Sequence, residues 1–90
     1  LRVNLISMTP HNELASTEYC LANPPWEYLV YLPEGDEVTL DLTSSVGTLA
    51  VEWMRPVEGD IFRGGTVSGG AKLNFAAPFA GAAVLYVKKV

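Results

Sequence analysis

The stretch EYLVYLPEGDEVTLDL, residues 27–42, decides the fold class of this chain. Its first six residues are dense in aromatic and branched apolar side chains, which favour β-strands. Pro33 and Gly35 then supply the chemistry of a turn, because proline presets φ and glycine tolerates a positive φ. In the last six residues apolar and polar side chains alternate, and the apolar ones are predicted to point inward: Val38, Leu40 and Leu42. We therefore predict a hairpin of two antiparallel strands with one solvated face.

The chain beyond this stretch repeats the same pattern up to residue 90. Residues 48–54 alternate and lead into a turn around Gly59, and residues 61–67 form a weaker run that Gly64-Gly65 marks as a bulge or an edge strand. Gly69-Gly70 is predicted to be a tight hairpin turn before residues 72–75. Residues 82–87 are almost continuously apolar and are predicted to be buried on both faces. Strand-like runs separated by turns every 8–12 residues or so are typical of a β-sandwich or a β-barrel. We predict an all-β fold, an antiparallel β-sandwich of about seven to eight strands.

The first 17 residues differ from the rest. Leu1, Leu5 and Met8 have helical spacing, whereas Leu1, Val3 and Leu5 have strand spacing, so the pattern leaves both open. Residues 11–17 are predicted to form a loop or a single helical turn before a strand at residues 18–22. The chain starts at Leu1 without a methionine, which we interpret as a cut end. We predict a lead-in from a preceding domain over residues 1–17 and the sandwich over residues 18–90.

Composition excludes several classes of function. The net charge is −4 and only six lysines and arginines are present, so neither nucleic acid nor an anionic membrane surface is an expected partner. No apolar run approaches the ~20 residues that span a bilayer. The single cysteine, Cys20, excludes an internal disulfide and a multi-cysteine zinc site. These features leave the compartment unknown, and a secreted or periplasmic parent protein stays open.

Several segments together resemble a known family. They are Met8-Thr9-Pro10, Tyr19-Cys20-Leu21-Ala22, Tyr28-Leu29-Val30-Tyr31-Leu32-Pro33, Val51-Glu52-Trp53 and Val84-Leu85-Tyr86. The chain resembles the collagen-binding-domain family, the C-terminal β-domain that follows apiosidase-like (β/α)-barrel glycoside hydrolases in bacteria. The resemblance implies that a catalytic barrel of the same polypeptide is the partner of this domain, and that residues before the first strand close the last helix of that barrel. It also implies that the catalytic acids lie in the barrel.

The chain's own residues predict no active site. Seven acids fall in turns or on solvated strand faces, positions that account for them without catalysis: Glu34, Asp36, Glu37, Asp41, Glu52, Glu58 and Asp60. His11 and Cys20 are the only residues of their kinds, and Cys20 lies in a strand pattern where a small buried side chain is the ordinary role. We expect no cofactor and no metal site, with a calcium site built from turn carboxylates as the open alternative.

Aromatic residues are the candidates for ligand contact, because sugar rings stack on exposed aromatic faces. Trp26 follows Pro24-Pro25 in a loop, where full burial is difficult, and it is the first ligand-binding candidate, with a contact to the barrel as its alternative role. Tyr19 is the second candidate. The remaining large aromatic side chains are predicted to lie in the core: Tyr28, Tyr31, Trp53 and Tyr86.

These observations predict a non-catalytic C-terminal accessory domain of a glycoside-hydrolase-like protein, which assists binding of polysaccharide or matrix. Two alternatives stay open. One is a genuine carbohydrate- or collagen-binding module. The other is a purely structural domain packed on the barrel, which should expose an apolar patch that includes Leu1, Leu5 and Met8.

Overall fold

The computed structural model describes residues 8–90, and within them the chain forms eight strands in two antiparallel sheets. The strands are β1 (Thr9–Pro10), β2 (Cys20–Asn23), β3 (Glu27–Leu32), β4 (Glu37–Asp41), β5 (Thr48–Met54), β6 (Ile61–Ser68), β7 (Lys72–Ala76) and β8 (Ala83–Lys89). A 3-10 helix spans Asn12–Leu14. One sheet has the order β1-β2-β3-β8-β5-β6, and the other pairs β4 with β7. This confirms the predicted all-β antiparallel sandwich.

The core lies between the two sheets, and in β2, β3, β4 and β5 every second side chain is buried in it. In β3 these are Tyr28, Val30 and Leu32, which are fully buried. Val38 and Leu40 of β4 face them from the small sheet, as the alternation predicts. Burying one such side chain stabilises the fold by about 1.5–3 kcal/mol. The alternation therefore sets which face of each strand is available to a ligand.

The predicted hairpin over residues 27–42 is wrong, because β3 and β4 belong to different sheets. Both edges of β3 are already occupied, by β2 on one side and by β8 on the other. The turn at residues 33–36 instead carries the chain across the sandwich. Gly35 has a φ of +69° and sits against the β7–β8 connection, where a Cβ would collide with the carbonyl oxygen of Gly81.

The predicted hairpin turn at Gly69-Gly70 is wrong for the same reason. β6 pairs with β5, whereas β7 pairs with β4, so this turn also crosses from one sheet to the other. The amide of Gly70 donates to the carbonyl of Leu42 at 2.8 Å, and a Cβ at Gly69 would collide with the carbonyl oxygen of Ser45. Glycine is needed here because the crossing runs directly against the β4–β5 loop.

Two other predictions about the strands concern β6 and β8. The first is confirmed: β6 is an edge strand of the large sheet, and Val51 alone lies opposite Gly64 and Gly65, which is a β-bulge. The second is confirmed only in part: β8 lies between β3 and β5 and is buried on its inner face, but on its outer face Tyr86 is buried whereas Val84 is half-buried.

The segment before β2 packs against both sheets in the described part of the chain. Thr9 of β1 is paired with Ala22, so Met8 lies toward the Asn23 end of the sheet edge. Ala15 is buried and forms a bridge to Leu40 of the small sheet. The predicted single helical turn within residues 11–17 is confirmed as the 3-10 helix.

Some predictions for the N-terminal segment have other outcomes. The choice between helix and strand over Leu1 and Leu5 lies outside the described residues. Met8 is buried rather than part of an exposed patch. The domain boundary at residues 17 and 18 stays a prediction. No helix in the described residues is long and apolar enough to cross a membrane.

Candidate functional site

Two tyrosines lie side by side on the outer face of the large sheet, the face that points away from the small sheet. Tyr19 precedes β2, and its carbonyl accepts a hydrogen bond from the amide of Tyr31 at 2.9 Å, which places the two residues opposite each other. Their ring centroids are 6.0 Å apart and the rings are tilted by 59°. The exposed fractions are 56% for Tyr19 and 42% for Tyr31. The two exposed rings are therefore tilted against each other on the surface.

The predicted core position of Tyr31 is wrong. Tyr28, Val30 and Leu32 fill the core side of β3, and strict alternation sends Leu29 and Tyr31 to the other face. The sequence already contains this alternation, but the density of apolar residues in the run favours burial on both faces of the strand. The predicted core positions of Tyr28 and Trp53 are confirmed, whereas Tyr86 is buried on the outer face of the large sheet, beside Leu29, and not in the core between the sheets.

A first hollow of about 430 Å³ lies beside the tyrosine pair. Leu21, Leu29 and Val84, which share the outer face of the sheet, also line it, so its surface is mainly apolar. Asn12 lies at its margin, and its Oδ1 accepts a hydrogen bond from the amide of Cys20 at 3.0 Å. Among the hydrogen bonds of the described residues, none uses the Nδ2 group of Asn12, which is a potential donor to a ligand.

A second hollow of about 450 Å³ lies on the other side of Tyr19. It is formed with the β3–β4 turn and is lined by the carboxylates of Glu34, Asp36 and Glu37, all of which are exposed. The Oε1 atom of Glu37 accepts a hydrogen bond from Nδ2 of Asn74 at 2.5 Å. In the described part of the chain no lysine or arginine lines either hollow. Tyr19 therefore separates an apolar hollow from an acidic one.

Trp26 lies at the opposite end of β2 from Tyr19, in the β2–β3 turn. Its amide donates to the carbonyl of Asn23 and its carbonyl accepts from the amide of Lys89, both at 2.8 Å. The side chain is 56% exposed, as the prolines before it predict. The Lys89 ammonium lies 5.2 Å from the ring centroid, a cation–π contact that covers part of the ring. The structure therefore does not bring the two predicted ligand-binding residues, Trp26 and Tyr19, together.

The remaining reactive groups do not form a second centre. The His11 ring is hydrogen-bonded to Thr9 and Glu13, at 3.0 and 3.3 Å, rather than to the Cys20 thiol. Cys20 is buried, as predicted, and burial, with a smaller effect from Glu13, raises its pKa to about 11. Over residues 8–90, no three His, Cys, Asp or Glu side chains converge as metal ligands.

One buried carboxylate was not singled out by the sequence. Glu27 is nearly inaccessible, and its Oε1 accepts a 2.5 Å hydrogen bond from the Tyr86 hydroxyl. Burial and this carboxylate raise the pKa of Tyr86. The pair holds β3 and β8 together from the outer face. The sequence gives no signal for this hydrogen bond, because Glu27 and Tyr86 are 59 residues apart in the chain.

Comparison with known proteins identifies a class of fold but no family. No protein-family model matches the chain, and no curated protein matches it. One solved structure with the same fold is a glycoside hydrolase, with a TM-score of 0.78 and 14% identity, covering 97% of this chain and 22% of that chain. Another is a glycoside hydrolase family 5 protein from Bacteroides vulgatus, with a TM-score of 0.78 and 16% identity, covering 97% of this chain and 21% of that chain.

This chain therefore spans about a fifth of the length of either glycoside hydrolase, and its fold is that of a small β-domain present within them. Identity this low establishes the fold alone. Membership of the collagen-binding-domain family stays a prediction.

Proposed function

We propose that this chain is a non-catalytic accessory domain of a glycoside-hydrolase-like polypeptide, in which it holds polysaccharide close to a catalytic barrel. One observation carries the proposal: nearly the whole chain superimposes on a small part of glycoside hydrolase chains, which leaves most of those chains for other domains. The compartment of such a polypeptide stays open between secreted and periplasmic.

The chemistry of the acids supports a non-catalytic role. Glycoside hydrolysis uses two carboxyl groups on either side of the scissile bond, and one of them needs a raised pKa to keep its proton near neutral pH. Glu34, Asp36 and Glu37 share one exposed turn and do not lie on two sides of a cleft. Glu27 is buried but already accepts the Tyr86 hydroxyl proton in a hydrogen bond. None of these is set up as an acid–base pair across a bound sugar.

A specific surface favours a second role, packing against the barrel. Trp26, Val46 and Val90 are exposed apolar side chains, and backbone hydrogen bonds join the segments around them: Lys89 to Trp26, and Val90 to Thr48. Met8, the first described residue, lies toward Asn23 and therefore at the end of β2 that carries Trp26. We therefore propose Trp26 as a domain contact rather than as a sugar-stacking residue.

The test uses the polypeptide that carries this chain. Its coding sequence upstream of Leu1 should encode a barrel with two catalytic acids. Removal of residues 9–90 should leave hydrolysis of a small soluble glycoside unchanged and should slow hydrolysis of a polysaccharide severalfold. A coding region without a hydrolase domain would overturn the proposal. A large fall in the Tm of the barrel on removal, with equal rates on both substrates, would favour the structural role alone.

A further inference from the structure

We infer that the two hollows on either side of Tyr19 form a binding site for a single, uncharged polysaccharide chain. The inference rests on the proposed function and names its ligand class and its site. The ligand would cross Tyr19, with a sugar face on the Tyr19–Tyr31 pair and its hydroxyls directed toward the β3–β4 turn.

The tyrosine pair supplies the stacking surface. Both rings are exposed; Tyr31 lies in β3, and the carbonyl of Tyr19, which precedes β2, accepts a hydrogen bond from the Tyr31 amide, so the backbone of both residues is held before a ligand arrives. Aromatic side chains offer a large rigid apolar area at low entropic cost. Their 59° tilt at 6.0 Å means that the two ring faces do not form one plane. Two tilted faces suit a free, twisted chain better than the flat face of a crystalline polysaccharide.

The size and lining of the hollows suit sugar residues on both sides of Tyr19. Their volumes, about 430 and 450 Å³, lie within the range of about 300–1,000 Å³ that small ligands occupy. The apolar hollow takes the C–H face of a ring against Leu21 and Leu29, and Nδ2 of Asn12 is placed to donate to a ring hydroxyl. The carboxylates of the second hollow accept hydrogen bonds from sugar hydroxyls.

Charge selects among polysaccharides. Glu34, Asp36 and Glu37 line the second hollow. No lysine or arginine of the described residues lines either hollow, and the formal net charge of the whole chain is −4. A uronate or a sulfate group would approach this turn against like charge without a cation to pair with it. The site therefore accepts neutral glycans and rejects anionic ones such as polygalacturonate.

The experiment is affinity gel electrophoresis of the 90-residue chain. Gels contain a soluble neutral polysaccharide (xyloglucan, mixed-linkage β-glucan or galactomannan), polygalacturonate, or none. Tyr19→Ala is compared with Trp26→Ala, a matched control because both side chains are 56% exposed. Circular dichroism checks that each variant is folded, and Tyr19→Phe tests whether the ring suffices.

We expect at least one neutral polysaccharide to retard the wild-type chain, and polygalacturonate to leave its mobility unchanged. Tyr19→Ala should weaken binding at least tenfold, and Tyr19→Phe and Trp26→Ala should weaken it less than twofold. Any of three results would overturn the inference: no retardation by a neutral polysaccharide, loss of binding in Trp26→Ala alone, or equal binding by Tyr19→Ala. Those results leave a hydrolase domain upstream untouched, so a failure of this site is distinguishable from a failure of the accessory role.

Discussion

The buried hydrogen-bond chain of Tyr28, Ser45 and Pro25 allows a quantitative test of how the sandwich closes around its crossing loops. Ser45 is fully buried, and its hydroxyl donates to the Pro25 carbonyl at 2.8 Å. A serine has one hydroxyl hydrogen, so the Tyr28 hydroxyl is the donor in its 2.6 Å bond to Ser45. The Ser45 hydroxyl is therefore the hydrogen-bond partner of two groups, the Tyr28 hydroxyl and the Pro25 carbonyl, whereas the Tyr28 hydroxyl is the partner of Ser45 alone.

The two single substitutions should differ in magnitude because of this asymmetry. Ser45→Ala leaves the Tyr28 hydroxyl and the Pro25 carbonyl without partners, and each costs about 1–3 kcal/mol when buried, so a loss of about 2–6 kcal/mol is expected. Tyr28→Phe removes one donor and leaves Ser45 bonded to Pro25, for a loss of about 0.5–1.5 kcal/mol. In the Ser45→Ala background, Tyr28→Phe removes an unsatisfied hydroxyl, so its cost should be near zero.

The assay is urea unfolding followed by tryptophan fluorescence, which reports on the buried Trp53. The double-mutant cycle should give a coupling free energy of about 0.5–1.5 kcal/mol, the cost of Tyr28→Phe in the wild type less its near-zero cost in the Ser45→Ala background. For a domain of this size, each 1 kcal/mol lowers the Tm by about 4–8 °C, which provides an independent check. Strict additivity, or a Ser45→Ala loss no larger than that of Tyr28→Phe, would refute the assigned direction of the hydrogen bonds.

Three further predictions concern the turns and the thiol. Gly35→Ala should destabilise the domain by about 2 kcal/mol or more, through positive φ and a backbone collision, while Gly59→Ala, with positive φ and open space, should cost about 1 kcal/mol in the same urea assay. Cys20, with its pKa raised to about 11, should be about one thousandth ionised at pH 8, so Ellman's reagent should react with it only after urea unfolds the chain. Hydrogen bonds from Thr43 lower the pKa of Asp41 in the folded state. The ionised Asp41 therefore stabilises the fold above its unfolded pKa of about 3.9, and this contribution is lost as the pH falls through the lower folded pKa. Asp41→Asn should accordingly reduce the fall of Tm at acid pH.

The sequence predicted the strands but not which strands are neighbours. Alternation is a local property, and Val38 and Leu40 were placed inward correctly. A turn such as residues 33–36, however, has the same chemistry whether it joins two paired strands or crosses to another sheet. The outcome depends on β8, which takes the edge of β3 and lies more than 50 residues away. No local signal around Gly35 or Gly69 carries that information.

The candidate site was predictable in part. The prolines before Trp26 indicated exposure correctly, and Tyr19 stood at the start of a strand. Tyr31 was assigned to the core because its neighbours are apolar, although its parity within β3 places it on the outer face. The meeting of Tyr19 with the acidic β3–β4 turn follows from the pairing of β2 with β3 and from the crossing to the small sheet, which the sequence did not predict.

The central position of β8 has a consequence for how this domain is made. On a ribosome, β1, β2 and β3 can pair in order, and β5 can pair with β6, but each group lacks the strand that joins them. That strand, Ala83–Lys89, is translated after all the others. Until β8 leaves the exit tunnel, the edges of β3 and β5 that pair with it have no partner. The nascent chain then exposes two separate parts of the large sheet to chaperones. Folding of the large sheet therefore completes only near the end of translation of this domain, and the late, sequence-distant pairing predicts a slow final step.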